Sequence, residues 1–313
     1  MNFKIVVFGA KDTTVTVIDY LQHDLKLSVG LLVTVDDNVT RSNEISGFSP
    51  MQEVAEKYGI DVFYADSYSL NSAKCQCFFK ENSFDLGISM GWQRLVPRYV
   101  LDSFKTGVFG FHGSCGYLPF GRGRSVLNWS LIQGLKRFNM NLFKYDEYAD
   151  SPNVFMKTMF EITDYDTIRT LQYKYLIASK KMLASLFEAY SRNAICINTE
   201  SKDFDSWYPK RSAEDGHVDF AMSTMAIYNL IRAVTHPFPG AYCYCSEKKV
   251  MIWDAVPFDC ILDFSGYRPG EIIDVMDNNL VVRTIDGSLL IRGYESPIDL
   301  TRGSVLSGVL CKE

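Results

Sequence analysis

The sequence predicts an α/β protein, a doubly wound and mostly parallel sheet followed by a smaller, mainly β C-terminal domain. Two observations predict the fold class. Short apolar runs alternate with helix-period segments through the first part of the chain, and short strands broken by turns fill the last third. Length predicts the division: at 313 residues the chain exceeds the roughly 250 to 300 residues at which single cores split. The expected domains are 1–210 and 211–313.

The elements follow in order. Lys4 to Phe8 reads as a buried strand, Gly9 to Thr13 as a turn, and the segment through Ile18, Tyr20 and Leu21 as a helix. Leu31 to Val35 gives a second strand, Pro50 to Tyr58 a helix with Val54 and Ala55 inward, Asp61 to Tyr64 a third strand and Leu86 to Ser89 a fourth. In such sheets ligands bind at the carboxyl ends of the strands, where the strand order reverses. The first turn, Gly-Ala-Lys-Asp-Thr, has a single glycine where a dinucleotide fingerprint needs three, so NAD is not expected. Tyr165 to Tyr190 carries the apolar stripe of a long helix, Asn193 to Tyr208 is polar and loop-like, and Thr224 to Val234 is a further helix. Beyond Pro239-Gly240 come short strands at Lys248 to Trp253, Gly270 to Val275, Leu280 to Thr284 and Leu289 to Arg292, with Asp286-Gly287 as a hairpin signal.

Composition narrows the function. Hydrophobic residues at 47% and charged residues at 22% are those of a globular protein. A net charge of -5 gives no broad attraction for nucleic-acid phosphates, which disfavours transfer RNA as a partner. The eight cysteines, Cys311 included, lack metal-site spacing, and no metal is expected. The opening residues lack the pattern of a signal peptide, and no apolar run reaches the roughly 18 residues of a membrane span. A reduced, cytoplasmic protein is expected, with no membrane partner.

The segment Gly107 to Trp129 concentrates the chemistry. His112 ends a short apolar run and opens a glycine-rich loop, which places it at a strand's carboxyl end facing the crevice. Histidine is the side chain suited to proton transfer near neutral pH. A histidine held only by structural hydrogen bonds would show the same spacing.

His112-Gly113-Ser114, then Leu118-Pro119, Arg122-Gly123-Arg124 and Leu127-Asn128-Trp129, resemble the signature of the folate-dependent formyltransferases. Two further blocks extend the resemblance across most of the chain. Gly91 to Val96 resembles the family's folate-contacting strand end; Tyr208 to Phe220, with Ile231-Arg232-Ala233 and Pro237 to Ala241, resembles its second block. The resemblance implies a Rossmann-like formyltransferase fold and 10-formyltetrahydrofolate as formyl donor. It implies His112 and Asp150 as the catalytic histidine and aspartate, with Gly110 at the position where the family has asparagine. That departure removes a donor to the formyl oxygen, with Gly113 N–H, the Ser114 hydroxyl and the Asn128 amide as possible replacements. For folate it implies Arg94, Leu95, Val96, Arg124 and the run Asp146, Glu147, Tyr148, Ala149 and Asp150.

The Leu127 to Gly134 stretch and the Arg-Gly-Arg loop are closer to the sugar N-formyltransferases than to the transfer-RNA enzyme. The implied acceptor is the amine of a TDP-, UDP- or GDP-linked amino deoxysugar, for surface polysaccharide (lipopolysaccharide, O-antigen) biosynthesis. Ser114, Arg122, Asn128, Lys210 and Arg211 are its candidate contacts, because guanidinium and ammonium groups suit a diphosphate. Trp207, Tyr208 and Phe220 offer aromatic faces for the base. The sequence does not fix the oligomeric state; the strand-rich C-terminal part offers a surface for a homodimer. Methionyl-tRNA formyltransferase, 10-formyltetrahydrofolate hydrolase and a non-catalytic folate- or nucleotide-binding protein are the alternatives.

Overall fold

The computed structural model describes residues 4–43, 45, 47–199 and 205–308. Cys311 lies outside them. The chain divides into two compact units: residues 1–122, 139–159 and 175–207 form the first, and residues 123–138, 160–174 and 208–313 the second.

The first unit opens with β1 (Ile5–Phe8), every residue buried, as a strand covered on both faces requires. α1 (Asp12–Asp19) follows across a tight turn. Only glycine fits at Gly9: a Cβ there would lie 2.1 Å from Thr14 Oγ1 and 2.2 Å from Met90 O. Thr14 Oγ1 donates to Met90 O at 2.7 Å, tying the turn to a later strand end. Next come β2 (Val29–Val35), α2 (Asp37–Asn43), α3 (Gln52–Tyr58) and β3 (Asp61–Ala65). α4 (Ala73–Glu81), β4 (Phe84–Ser89), α5 (Arg98–Leu101) and β5 (Phe104–Ser114) complete the parallel part.

β6 (Arg122–Gly123), α6 (Val126–Ile132), β7 (Arg137–Lys144), β8 (Asn153–Glu161), α7 (Ile168–Ser191) and β9 (Asn198–Thr199) follow. Among the described residues the sheet has eight strands in the order β3-β2-β1-β4-β5-β7-β8-β9. The neighbours from β3 to β5 pair parallel; β5 with β7, and β8 with β9, pair antiparallel. The chain builds outward from β1 to β3, then returns to add β4 and β5 on the other side. The order reverses between β1 and β4, where ligand crevices form in such sheets. Phe8, Phe79, Trp92, Phe104 and Val108 centre the apolar core on one face.

The second unit holds α6 and, after β10 (Trp207–Tyr208), α8 (Thr224–Val234). β11 (Ala241–Cys245), β12 (Lys248–Asp259), β13 (Ile272–Met276), β14 (Asn279–Arg283) and β15 (Ser288–Glu295) form an antiparallel sheet in the order β11-β12-β15-β14-β13. α8 packs on β11, β12 and β15 and against α6. Asp286 serves two purposes: it sits in the predicted hairpin, and its carboxylate accepts from Thr224 N at 2.8 Å and Thr224 Oγ1 at 2.9 Å at the start of α8. Asp277 and Asn278 turn the β13–β14 hairpin with φ of 49° and 65°, a left-handed pair that Asp and Asn tolerate. No helix among the described residues is long and apolar enough to cross a membrane.

Candidate active site

The site is built on β5. Successive strand residues face opposite ways, so Gly110 and His112 share one face. β4 ends at Ser89, directly beside Gly110, while β5 runs on to Ser114 paired with β7. His112 therefore stands past the carboxyl end of its parallel neighbour, as the sequence predicts. It lies inside the strand rather than opening a loop, because β7 holds it opposite Asn141.

His112 is buried, and its Nδ1 lies 3.2 Å from Oδ1 of Asp150. Its Nε2 lies 2.8 Å from Gly121 O. A ring facing an acceptor with each nitrogen bonds both at once only when both nitrogens carry protons. Asn141 donates to His112 O at 3.2 Å and accepts from Leu118 N at 3.2 Å, so one amide fixes both the strand and the loop beyond it.

Asp150 has a left-handed backbone, φ 48°, in the loop between β7 and β8. Asp146 shapes that loop by accepting from Tyr148 N at 2.8 Å, Asn153 Nδ2 at 3.0 Å and the Ser151 hydroxyl. The buried Arg122 guanidinium donates to Ala149 O, pairs with Asp205 Oδ2 at 3.0 Å and lies 4.3 Å from the centre of the Trp207 ring. Gly121 and Arg122 thus grip both members of the pair, Gly121 through the His112 ring and Arg122 through the residue before Asp150.

Gly110 has no free space above it. A Cβ there would lie 2.3 Å from Tyr145 Oη and 2.4 Å from its Cε1. Tyr145 follows β7, its N–H donates to Val108 O at 2.8 Å, and its ring packs against Phe143 with centroids 5.1 Å apart. Burial pushes the Tyr145 phenol up to about 12, the negative charge of Asp150 adds to this, and the Ser89 side chain works the other way. Ser89 is close enough to act on the phenol, yet its buried Oγ has no well-formed hydrogen bond among the described residues. Burial also raises the Tyr175 phenol, with the charges of Tyr145 and Asp150 contributing. Tyr145, Tyr175 and Ser89 were not singled out from sequence. A tyrosine beside a predicted strand is an ordinary core residue until its register against Gly110 is known.

The other candidates fall in two groups. In the first unit, Ser114 is fully buried and its hydroxyl donates to Phe120 O at 3.0 Å. Arg94 stacks 5.0 Å from the Tyr68 ring centre, Leu95 is 55% exposed and Val96 is buried in the core. Glu147 and Tyr148 are exposed on the Asp150 loop. In the second unit, Arg124 and Lys210 are exposed, and Phe220 is buried. Asn128 donates to Ala233 O at 2.7 Å. Arg211 lies 4.8 Å from the Trp129 ring centre and donates to Asp215 O; burial lowers its pKa, against the opposing charge of Asp215. A cleft of about 480 Å³ borders Lys144, Tyr145, Asp146 and Asn153; His112 is not in its wall.

The comparisons agree with this architecture. The family model described as "Formyl transferase" matches residues 1–186, and that described as "Formyl transferase, C-terminal domain" matches residues 210–297. The bifunctional polymyxin resistance protein ArnA of Wigglesworthia glossinidia brevipalpis is 31% identical over 251 residues, 80% of this chain and 37% of that protein. The chain thus spans little more than a third of that relative's length. Among solved structures, HypX of Aquifex aeolicus, in complex with tetrahydrofolic acid, superposes with a TM-score of 0.64 at 18% identity over 95% of this chain and 45% of that one. The N-formyltransferase of Helicobacter canadensis, in complex with folinic acid and dTDP-3-aminofucose, gives 0.66 at 16% identity over 93% and 99%. At such identities these likenesses speak to the fold alone. With one family model covering more than half of the chain and a second following it in order, the protein belongs to the formyl transferase family.

Proposed function

We propose that the protein transfers a formyl group from 10-formyltetrahydrofolate to the amino group of a nucleotide-linked amino deoxysugar. The observation that carries the reading is the His112–Asp150 pair, 3.2 Å apart, at the carboxyl end of the parallel strands. The complex of the Helicobacter canadensis structure with folinic acid and an amino sugar nucleotide supports the choice of both substrates.

The acceptor's amine attacks the formyl carbon. A nitrogen–carbon bond forms as the carbonyl opens to an oxyanion, and collapse of that oxyanion breaks the bond to the folate nitrogen. The proton lost by the attacking nitrogen passes to His112 and on to the leaving nitrogen. The nitrogen facing Gly121 O is the one that would exchange the proton, because Asp150 holds the other. Asp150 orients the ring and balances its positive charge. Holding the two substrates together supplies much of the remaining acceleration.

The exposed Leu95, the half-buried Arg94 and the 146–150 loop are assigned to the folate head group. Lys210 and Arg211 are the cations assigned to the diphosphate. Arg122 holds the Asp150 loop through Asp205 and Ala149, and so acts by positioning. Incubating the protein with 10-formyltetrahydrofolate and TDP-, UDP- and GDP-linked amino sugars, read by mass spectrometry, tests the reading. Release of formate with every acceptor unmodified would favour hydrolysis instead.

A further inference from the structure

Acyl transfer needs more than a base. The oxygen of the attacked carbonyl becomes an oxyanion, and a donor fixed in place before reaction stabilises it in the transition state. That donor must stand on the same side of the strand ends as His112. On β5 the residue two before His112 on that face is Gly110, which has no side chain to donate. Two sequence candidates have other bonds: the Ser114 hydroxyl donates to Phe120 O at 3.0 Å, and the Asn128 amide donates to Ala233 O at 2.7 Å.

The space above Gly110 is filled by a donor from the residue that follows β7. Tyr145 Oη lies 2.3 Å from where a Cβ of residue 110 would stand. Gly110 pairs with Ser89, the last residue of β4, so the phenol above Gly110 stands at the carboxyl end of that strand, and the charge of Asp150 reaches it. We infer that the Tyr145 hydroxyl is the hydrogen-bond donor to the formyl oxygen, replacing from just past β7 what Gly110 cannot supply from β5. This inference rests on the formyl-transfer reading above.

The assignment is consistent in three respects. Glycine at 110 is what makes room for the phenol, since any Cβ would collide with it. Burial holds the phenol protonated well above neutral pH, which keeps it a donor. Ser89, with its Oγ short of a well-formed partner, lies beside the same point and can accept the phenol's proton bond until substrate arrives. In the step itself Tyr145 lends a hydrogen bond and keeps its proton; the amine's proton travels through His112.

The test uses the full chain and 10-formyl-5,8-dideazafolate labelled with ¹³C at the formyl carbon. Isotope-edited infrared spectroscopy reads the carbonyl stretch of the bound analogue, and Tyr145→Phe is compared with the parent. Loss of the hydrogen bond should move the band to higher frequency. With 10-formyltetrahydrofolate and an accepted amino sugar nucleotide, kcat should fall by ~10²- to 10³-fold, the usual cost of one oxyanion donor. KM for folate should change far less. The double substitution G110N/Y145A, which returns a donor to β5, should recover activity over Y145A alone, which a purely space-filling tyrosine would not explain. An unmoved band and an unchanged kcat in Tyr145→Phe, with the analogue still bound, overturn the Tyr145 assignment and leave formyl transfer standing. A parent protein that neither binds the analogue nor transfers formyl overturns both.

Discussion

Nδ1 of His112 and Oδ1 of Asp150 stand 3.2 Å apart although one lies within a strand and the other on a loop two strands' worth of chain away. The pair exists because Arg122 and Gly121 hold its two halves from one dipeptide. His112→Asn should lower formyl transfer by about 10²- to 10⁴-fold, the range for a lost acid–base group. Asp150→Asn should lower it less, because the ring remains in place. Single-turnover kinetics, with circular dichroism to show the fold retained, check both; an unchanged rate in His112→Asn would remove the residue from the mechanism.

Gly110→Ala tests the crowding above β5 separately from catalysis. The new methyl would meet Tyr145 Oη at 2.3 Å and Cζ at 2.5 Å, so the phenol must move. Stability should fall by about 1–3 kcal/mol, the usual cost of overpacking, measured as a lower urea midpoint. Adding Tyr145→Ala should relieve part of that loss, whereas additive losses would mean that the two side chains do not share the space.

Stability should decline on the alkaline side. Tyr145 is pushed up to about 12 from an ordinary 10.0, and Cys243 to about 12 from 9.0, both chiefly by burial; Tyr175 is also raised. Below the ordinary values both folded and unfolded chains keep these protons, and the stabilisation is complete. Above them the unfolded chain ionises first, so stability falls as pH rises from about 9 and the contribution is gone once the folded groups ionise near 12. Urea midpoints across that window read the effect, and a flat profile would contradict it. Tyr145→Phe should make the decline shallower.

Arg232 is the buried tie of the second unit. It donates to Thr163 O and Asp166 O at 2.9 Å each and to Asn229 Oδ1 at 2.9 Å, and burial lowers its pKa. Asp166 in turn accepts from Lys174 at 2.5 Å. Arg232→Leu would strand these acceptors and should cost about 3 kcal/mol, read by thermal unfolding. Hydrogen exchange in α8 should rise with it; unaltered exchange would count against the role.

Much of the fold was legible in the residues. The all-apolar run of β1 and the largely apolar β2 read as buried strands, and the Thr224–Val234 helix has the predicted bounds. β7 and β8 were not separated out, because antiparallel strands added to a parallel sheet follow no βαβ spacing. The last part was expected to be mainly β, with the Thr224–Val234 helix beside it; what was not legible is that α6, from much earlier in the chain, packs on that helix. Long-range packing of that kind leaves no local period. In the site, His112 and Asp150 were found through motif resemblance, and the structure brings them together. Tyr145 was not found, because its place depends on the register of β7 against Gly110, which sequence periodicity alone does not specify.

The central claim is formyl transfer to an amino sugar nucleotide. The direct measurement is mass spectrometry of TDP-, UDP- and GDP-linked amino sugars after incubation with the protein and 10-formyltetrahydrofolate. The account predicts that at least one acceptor gains a single formyl group, and that His112→Asn abolishes the gain. Every acceptor left unmodified, under conditions where the protein binds folate, would contradict it.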